Sequence, residues 1–211
     1  VRIGLSQRGG SLLELLSAVL LGSLVLGMVA SVGLSGQKLV TQQAKQLLLV
    51  QNLASTGLQI KRDLLQAGYN DDDASATYLS GETRVVALAQ SPSRLGYVYR
   101  IAPSGNRAFR SVVFQHQLAS EPDLGHGLLL CEKERPEPPT FAQAAQSGWH
   151  GNCFNLFNPK QISVTEFTLH RQSSLVGGVE RHVVTITLSA ELVADLRVIH
   201  QLHLTVAMRN G

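Results

Sequence analysis

From Leu15 to Gln37 the chain carries no ionisable side chain, and this run constrains the fold more than any other stretch of it. The part from Leu15 to Leu34 is long enough to cross a bilayer core, which takes about 20 apolar residues. Glu14 stands at its start, inside the membrane or at its edge. A lone carboxylate at that depth costs about 3 kcal/mol on insertion scales, so it demands a partner. Ahead of it, residues 1–9 form a short polar leader whose only charges are Arg2 and Arg8. Positive flanks of this kind stay on the cytoplasmic side, which places the amino end inside and the bulk of the chain outside. A secretory signal would have an uncharged apolar centre and a small-residue cleavage site. The nearest such site, Met28-Val29-Ala30, follows a run that is too long and that contains Glu14.

The stretch Gly9-Gly10-Ser11-Leu12-Leu13-Glu14-Leu15-Leu16 resembles the precursor motif of the type IV pilin family, a short basic leader ending in Gly, then a Glu and a long apolar helix. The resemblance implies that a prepilin peptidase cuts between Gly9 and Gly10 and methylates the new amino group of Gly10. That terminus departs from the family, where a large apolar residue is usual. A cut after Gly10 would bring Glu14 one residue too close to the terminus, so the cut after Gly9 is preferred. Cleavage creates an α-amino group of pKa about 8, cationic at neutral pH, at the depth of Glu14. One chain's ammonium can then neutralise another chain's carboxylate, and in hydrocarbon that pairing outweighs its value in water. The competing reading of Glu14 is a side chain that only snorkels to the headgroups.

After the membrane segment, expected over 10–36, residues 37–67 lack Pro and show helical periodicity in Leu47, Val50, Ala54, Leu58, Lys61 and Leu65. Leu39, Leu53, Ile60 and Leu64 widen that stripe, and all these leucines are read as core facing a globular head. A continuous helix from Gly10 to Ala67 would be about 87 Å long at about 1.5 Å per residue. Ser23, Gly27, Ser31 and Ser35 recur every four residues, as do Ala18 and Gly22, and such rows of small residues permit close helix approach. Gly68 is placed to cap the helix in the left-handed conformation. The segment Lys61-Arg62-Asp63-Leu64-Leu65-Gln66-Ala67-Gly68-Tyr69 is similar to the helix end of PilW and PpdB type minor pilins. The two motifs lie in the first third of the chain.

Residues 68–211 read as a β-rich head, with strands expected over 84–90, 95–101, 107–116, 127–131, 162–172, 182–192 and 198–208. Their alternation, clear in Val183-Val184-Thr185-Ile186-Thr187-Leu188, suits antiparallel pairing with one buried face. The expected fold class is therefore α+β, and the resemblance implies that it is pilin-like, a long N-terminal helix packed on an antiparallel sheet head. Residues 132–159 form a Pro- and Gly-rich loop in which Trp149, Phe154 and Phe157 either meet a partner or pack onto the sheet.

Cys131 and Cys153 are the only cysteines. Outside the cytoplasm an even pair is read as one disulfide bracketing that loop, closing about twenty residues for about 3 kcal/mol in the chain-entropy model. The rival is a metal site with His150 and His126, which lacks the paired ligand spacing of structural zinc. Asp71, Asp72 and Asp73 are consecutive rather than alternating and read as a solvated turn rather than a calcium loop. His200 and His203 point to opposite strand faces, and His170 and His182 flank a turn at Gly177-Gly178 where they are candidate cross-strand neighbours.

The formal net charge is +3, and the leader carries two of the arginines, so the mature chain is close to neutral. Without a basic stripe interleaved with aromatics, nucleic acid is not an expected partner. No hydrolase, metalloprotease or phosphate-loop motif is present, so no enzyme and no cofactor are expected. The expectation is a minor pilin: a single-pass bacterial inner-membrane precursor with a periplasmic head, which enters the pilus filament at its tip or base and helps start assembly. Its implied partners are prepilin peptidase, other minor and major pilins, the inner-membrane assembly machinery and a possible tip adhesin. The close alternative is a minor pseudopilin of a type II secretion system, and the distant one a membrane-anchored periplasmic enzyme or ligand-binding module.

Overall fold

The computed structural model describes residues 11–71, 75–146, 148, 151–176 and 179–210. Helix α1 covers Leu12–Leu64, and the chain divides within it into two compact units, 1–44 and 45–211. In the first unit the 18 residues Leu12–Val29 are apolar enough to cross a membrane, and none of them is buried. Three of its serines hide their hydroxyls against the helix: Ser17, Ser23 and Ser31 donate to the carbonyls of Glu14, Leu20 and Met28 at 2.9, 2.8 and 2.8 Å. A hydroxyl bonded in this way takes no unsatisfied donor into an apolar surrounding.

In the second unit, the remainder of α1 buries one stripe, Leu49, Leu53, Thr56, Ile60 and Leu64, at the three- and four-residue steps of a helix face. This corrects the expected core face. Leu47 and Leu58 are 55% and 48% exposed, and the buried stripe lies to one side of the row that holds them. Leu39, in the first unit, is also exposed. Leucines occur on both faces of this helix, so periodicity alone does not choose between them.

Every strand pair is antiparallel, but the strands form two sheets rather than one. The first has the order β1 (Val86–Gln90), β2 (Ser93–Arg100), β3 (Phe109–Gln117), β4 (Gly127–Arg135) and β5 (Phe154–Asn155). The second comprises β6 (Ile162–Val176), β7 (Val179–Leu192) and β8 (Asp195–Ala207). The main core joins the α1 stripe to inward side chains of both sheets, among them Tyr97, Phe114, Leu130, Leu169 and Ile186. At Gly57 the helix packs tightly on β8, where an added Cβ would lie 2.4 Å from a methyl of Leu202.

The other face of the first sheet is covered too. The segment expected as a loop over 132–159 starts within β4, then supplies the short helix α2 (Phe141–Ala144) and β5. Thr140 and Gln143 close a reciprocal capping box on α2. Phe141 sits on Gly96 of β2, where a Cβ would be 2.5 Å from its ring, and Ala144 and Ala145 complete a second apolar cluster with Val98, Val113 and Cys131.

Candidate functional site

Two places carry the residues singled out by sequence. At the amino end, Gly9 and Gly10 lie outside the described residues. The first described feature is a helix cap: Ser11 Oγ accepts from the Leu13 N–H at 3.2 Å, and its carbonyl accepts from Glu14 and Leu15 at 2.9 and 3.2 Å. Ser11 thus satisfies an otherwise orphaned N–H of the first turn. Glu14 falls in that same turn, where the helix dipole favours a negative charge. The Ser11-x-x-Glu14 spacing is itself the sequence signature of a helix start, a signal that the motif comparison passed over. Glu14 is exposed, and no described side chain of its own chain forms an ion pair with it. A Cβ added at Gly22, Gly27, Gly33 or Gly36 would meet nothing within 4 Å, so contacts within this chain do not require glycine at these positions.

The second place is the end of α1. Its Asp-Leu-Leu-Gln-Ala-Gly-Tyr segment, residues 63–69, is a junction in which nearly every side chain has a task. Leu64 and Ala67 are buried. Gly68 has φ +75°, and a Cβ there would lie 2.7 and 2.9 Å from the two methyls of Val85. Glycine is required twice over, by conformation and by space. Its N–H donates to Val98 at 2.9 Å, its carbonyl accepts from Thr77 at 3.0 Å, and the Tyr69 carbonyl accepts from the Arg100 N–H at 2.8 Å. Asn210 Nδ2 donates to the Ala67 carbonyl at 3.0 Å, satisfying a helix-end acceptor. The Tyr69 hydroxyl donates to Asp71 at 2.9 Å.

Asp63 is half-buried. Burial raises its carboxyl above the ordinary aspartate range, and the nearby Arg110 partly opposes this. Arg110 is paired with Glu132 on β4, and Arg107 with Glu134. Beneath them the Tyr97 hydroxyl is fully buried and pushed well above its usual value, first by burial and then by the charge of Asp63. At the far end of the head, Asp195 accepts from Arg197 Nε and from Lys45 Nζ on α1, each at 3.1 Å, and these bonds hold its carboxyl down at about 2.

The remaining candidates separate. Cys131 and Cys153 are bonded to each other with Cα atoms 4.4 Å apart, which removes the thiolates that a metal would need. His126 Nδ1 accepts from the Ala119 N–H at 2.9 Å, and its ring stands edge-on to His116, while His150 lies outside the described residues. The strand register sets His170 opposite Thr185 and His182 opposite Ser173, so these two histidines are not cross-strand partners, and the Gly177-Gly178 turn lies outside the described residues. Between His200 and His203, only His203 has a described side-chain partner on the adjacent strand, Thr187 at 3.1 Å. Phe157 is core and Phe154 is 48% exposed, while Trp149, Asp72 and Asp73 lie outside the described residues.

A protein-family model, prepilin peptidase-dependent protein B (PpdB), matches residues 42–208, which takes in the Asp63–Tyr69 junction and both sheets. The chain belongs to the PpdB family. It is a pilin-related protein of the PpdB type, with the α+β architecture of a long N-terminal helix and a sheet head. No curated protein and no solved structure matches it.

Proposed function

We propose that this PpdB-family chain is a minor pilin, matured by prepilin peptidase at Gly9-Gly10 and taking part in the start of type IV pilus assembly as a tip or base subunit. The observation that carries the reading is the independence of two signals: the family match begins at residue 42, whereas the cleavage motif and Glu14 lie well ahead of it. The head belongs to the family, and the leader that resembles a prepilin leader lies in a part of the chain outside that match. The precursor is a single-pass inner-membrane protein with Leu12–Val29 in the bilayer and the head in the periplasm, where the Cys131–Cys153 bond persists. After the cut, the methylated ammonium of Gly10 and the carboxylate of Glu14 make each chain both donor and acceptor. Glu14 of an incoming subunit pairs with the terminus of its neighbour. Glycines that nothing within the chain requires leave room for that neighbour's helix. Its partners in this role are prepilin peptidase, the inner-membrane assembly machinery, and other minor and major pilins.

The substitution Glu14→Leu tests the mechanism. It keeps the segment apolar, so insertion and cleavage proceed, and intact mass shows a chain starting at methylated Gly10. Co-purification with other pilins and the count of surface pili fall sharply, because the neighbour's ammonium is left unpaired in hydrocarbon at a cost of several kcal/mol. Normal piliation by the variant would refute the pairing. A mature terminus at Ser31 would refute the pilin reading altogether. A knockout that loses secreted enzymes while keeping its pili would move the protein to a secretion system.

A further inference from the structure

The head holds a recess that the assembly reading leaves unused. It opens at the seam where β1 of the first sheet meets β6 and β7 of the second, and has a volume of about 80 Å³. Its floor is apolar, formed by Val85, Val86 and Val184, all buried. Its polar walls are Arg84, Arg171 and His182, with the Thr83 and Tyr78 hydroxyls beside them. No carboxylate is among the described residues that line it.

Arg171 crosses the seam: from β6 its Nη2 donates to the Val86 carbonyl at 2.5 Å. That bond uses one of five guanidinium N–H groups and fixes the plane of the rest. Burial, and next the like charge of Arg84, pull the Arg171 guanidinium below its ordinary value, with Glu82 only partly offsetting them. Two cations near one another over an apolar floor favour an anion between them, and a planar guanidinium suits a carboxylate through paired N–H bonds. The valines add a requirement that a bare inorganic ion does not meet.

We infer that this recess binds a carboxylate carried on a short apolar stem, with the carboxylate between Arg84 and Arg171 and the stem on the valine floor. Two sources share this chemistry: the free carboxyl end of a polypeptide with an apolar last residue, and a small branched-chain acid. The inference rests on the head alone and is separable from the pilus reading, which stands or falls on Glu14.

The test uses the full chain in detergent with histidine rings labelled for NMR, so that His182 reports occupancy. The probes are isovalerate, isovaleramide, inorganic phosphate, and the tetrapeptide Gly-Gly-Ala-Val with a free or an amidated end. The expected result is a saturable shift of the His182 signals with isovalerate and the free peptide, and none with the two amides or with phosphate. Tighter binding of the free peptide than of isovalerate assigns the site to chain ends, and the reverse assigns it to small acids. The variant Arg84→Gln weakens binding at least tenfold without changing the melting temperature, because Arg84 is exposed and has no described hydrogen bond to lose. Arg171→Gln abolishes binding, but it also removes the bond to Val86, so Arg84→Gln is the deciding variant. Equal shifts with acids and amides, a response to phosphate alone, no shift with any probe, or undiminished binding by Arg84→Gln would each overturn the proposal.

Discussion

The two parts of α1 are both rich in leucine, yet the same residue type means different things in them. Between Leu12 and Val29 no side chain is buried, whereas from Leu49 to Leu64 four large apolar side chains are fully buried on one face. In the first part, Glu14 apart, apolar side chains lie all round the helix, which suits a surrounding that is apolar on all sides. In the second it is decided position by position, by which side chain meets a sheet. The lesson is that leucine content locates a helix, while only packing assigns its faces.

The contrast is broken most directly by paired truncations. Leu53→Ala removes a fully buried side chain from the centre of the stripe and should cost the head about 3 kcal/mol, measured by denaturant unfolding of the detergent-solubilised chain. Leu21→Ala, at a position 62% exposed, should leave that transition unmoved. Equal effects would mean that the two parts are not different in kind.

A smaller effect comes from the glycines. Gly68→Ala places a Cβ against Val85 in a left-handed backbone and should destabilise the head by about 2 kcal/mol. Gly27→Ala, in open space on a helix, should not disturb the head and, under the proposed assembly, should show only in assembly assays, since it would narrow the room for a neighbouring helix. A Gly68→Ala head as stable as the parent would remove the junction from among the features that hold the fold.

The mildest test sharpens the boundary at residue 45. Asp195, bonded by Arg197 and Lys45, has a folded value of about 2, below the value near 4 of an ordinary aspartate. A depressed carboxyl contributes stability above its unfolded value and loses it as pH falls through the folded one. Stability therefore drops between about pH 4 and pH 2 more steeply in the parent than in Asp195→Asn, and the two converge at the acid end. Parallel curves would show that the bonds to Asp195 from Arg197 and Lys45 contribute nothing.

Much of this architecture was legible in the sequence. All seven expected strands form, with ends shifted by a few residues, because alternation over five or more positions is a strong local signal. The two-residue β5 is too short to leave a pattern, and the split into two sheets depends on pairings that no local period encodes. The amino-end motif was readable because its residues are contiguous. The Asp63–Tyr69 junction was recognisable as a pattern but not explicable, since Val85, Val98 and Asn210, which give Gly68 and Ala67 their roles, come from remote parts of the chain. The recess was invisible for the same reason: Arg84, Arg171 and His182 meet only once both sheets exist.

The bond from Asn210 to Ala67 joins residues 143 positions apart, and β8, which receives α1 at Gly57, is nearly as late in the chain. On a ribosome adding about 5–20 residues per second, the helix end therefore waits roughly 7–30 s before the strand that covers it has been made. Through that interval the Leu49–Leu64 stripe has only part of its cover, the side chains of the first sheet, and the emerging chain is open to aggregation and to proteolysis. A cell making this protein must shelter a half-finished head, and slow codons late in the message would lengthen the exposure rather than help the fold.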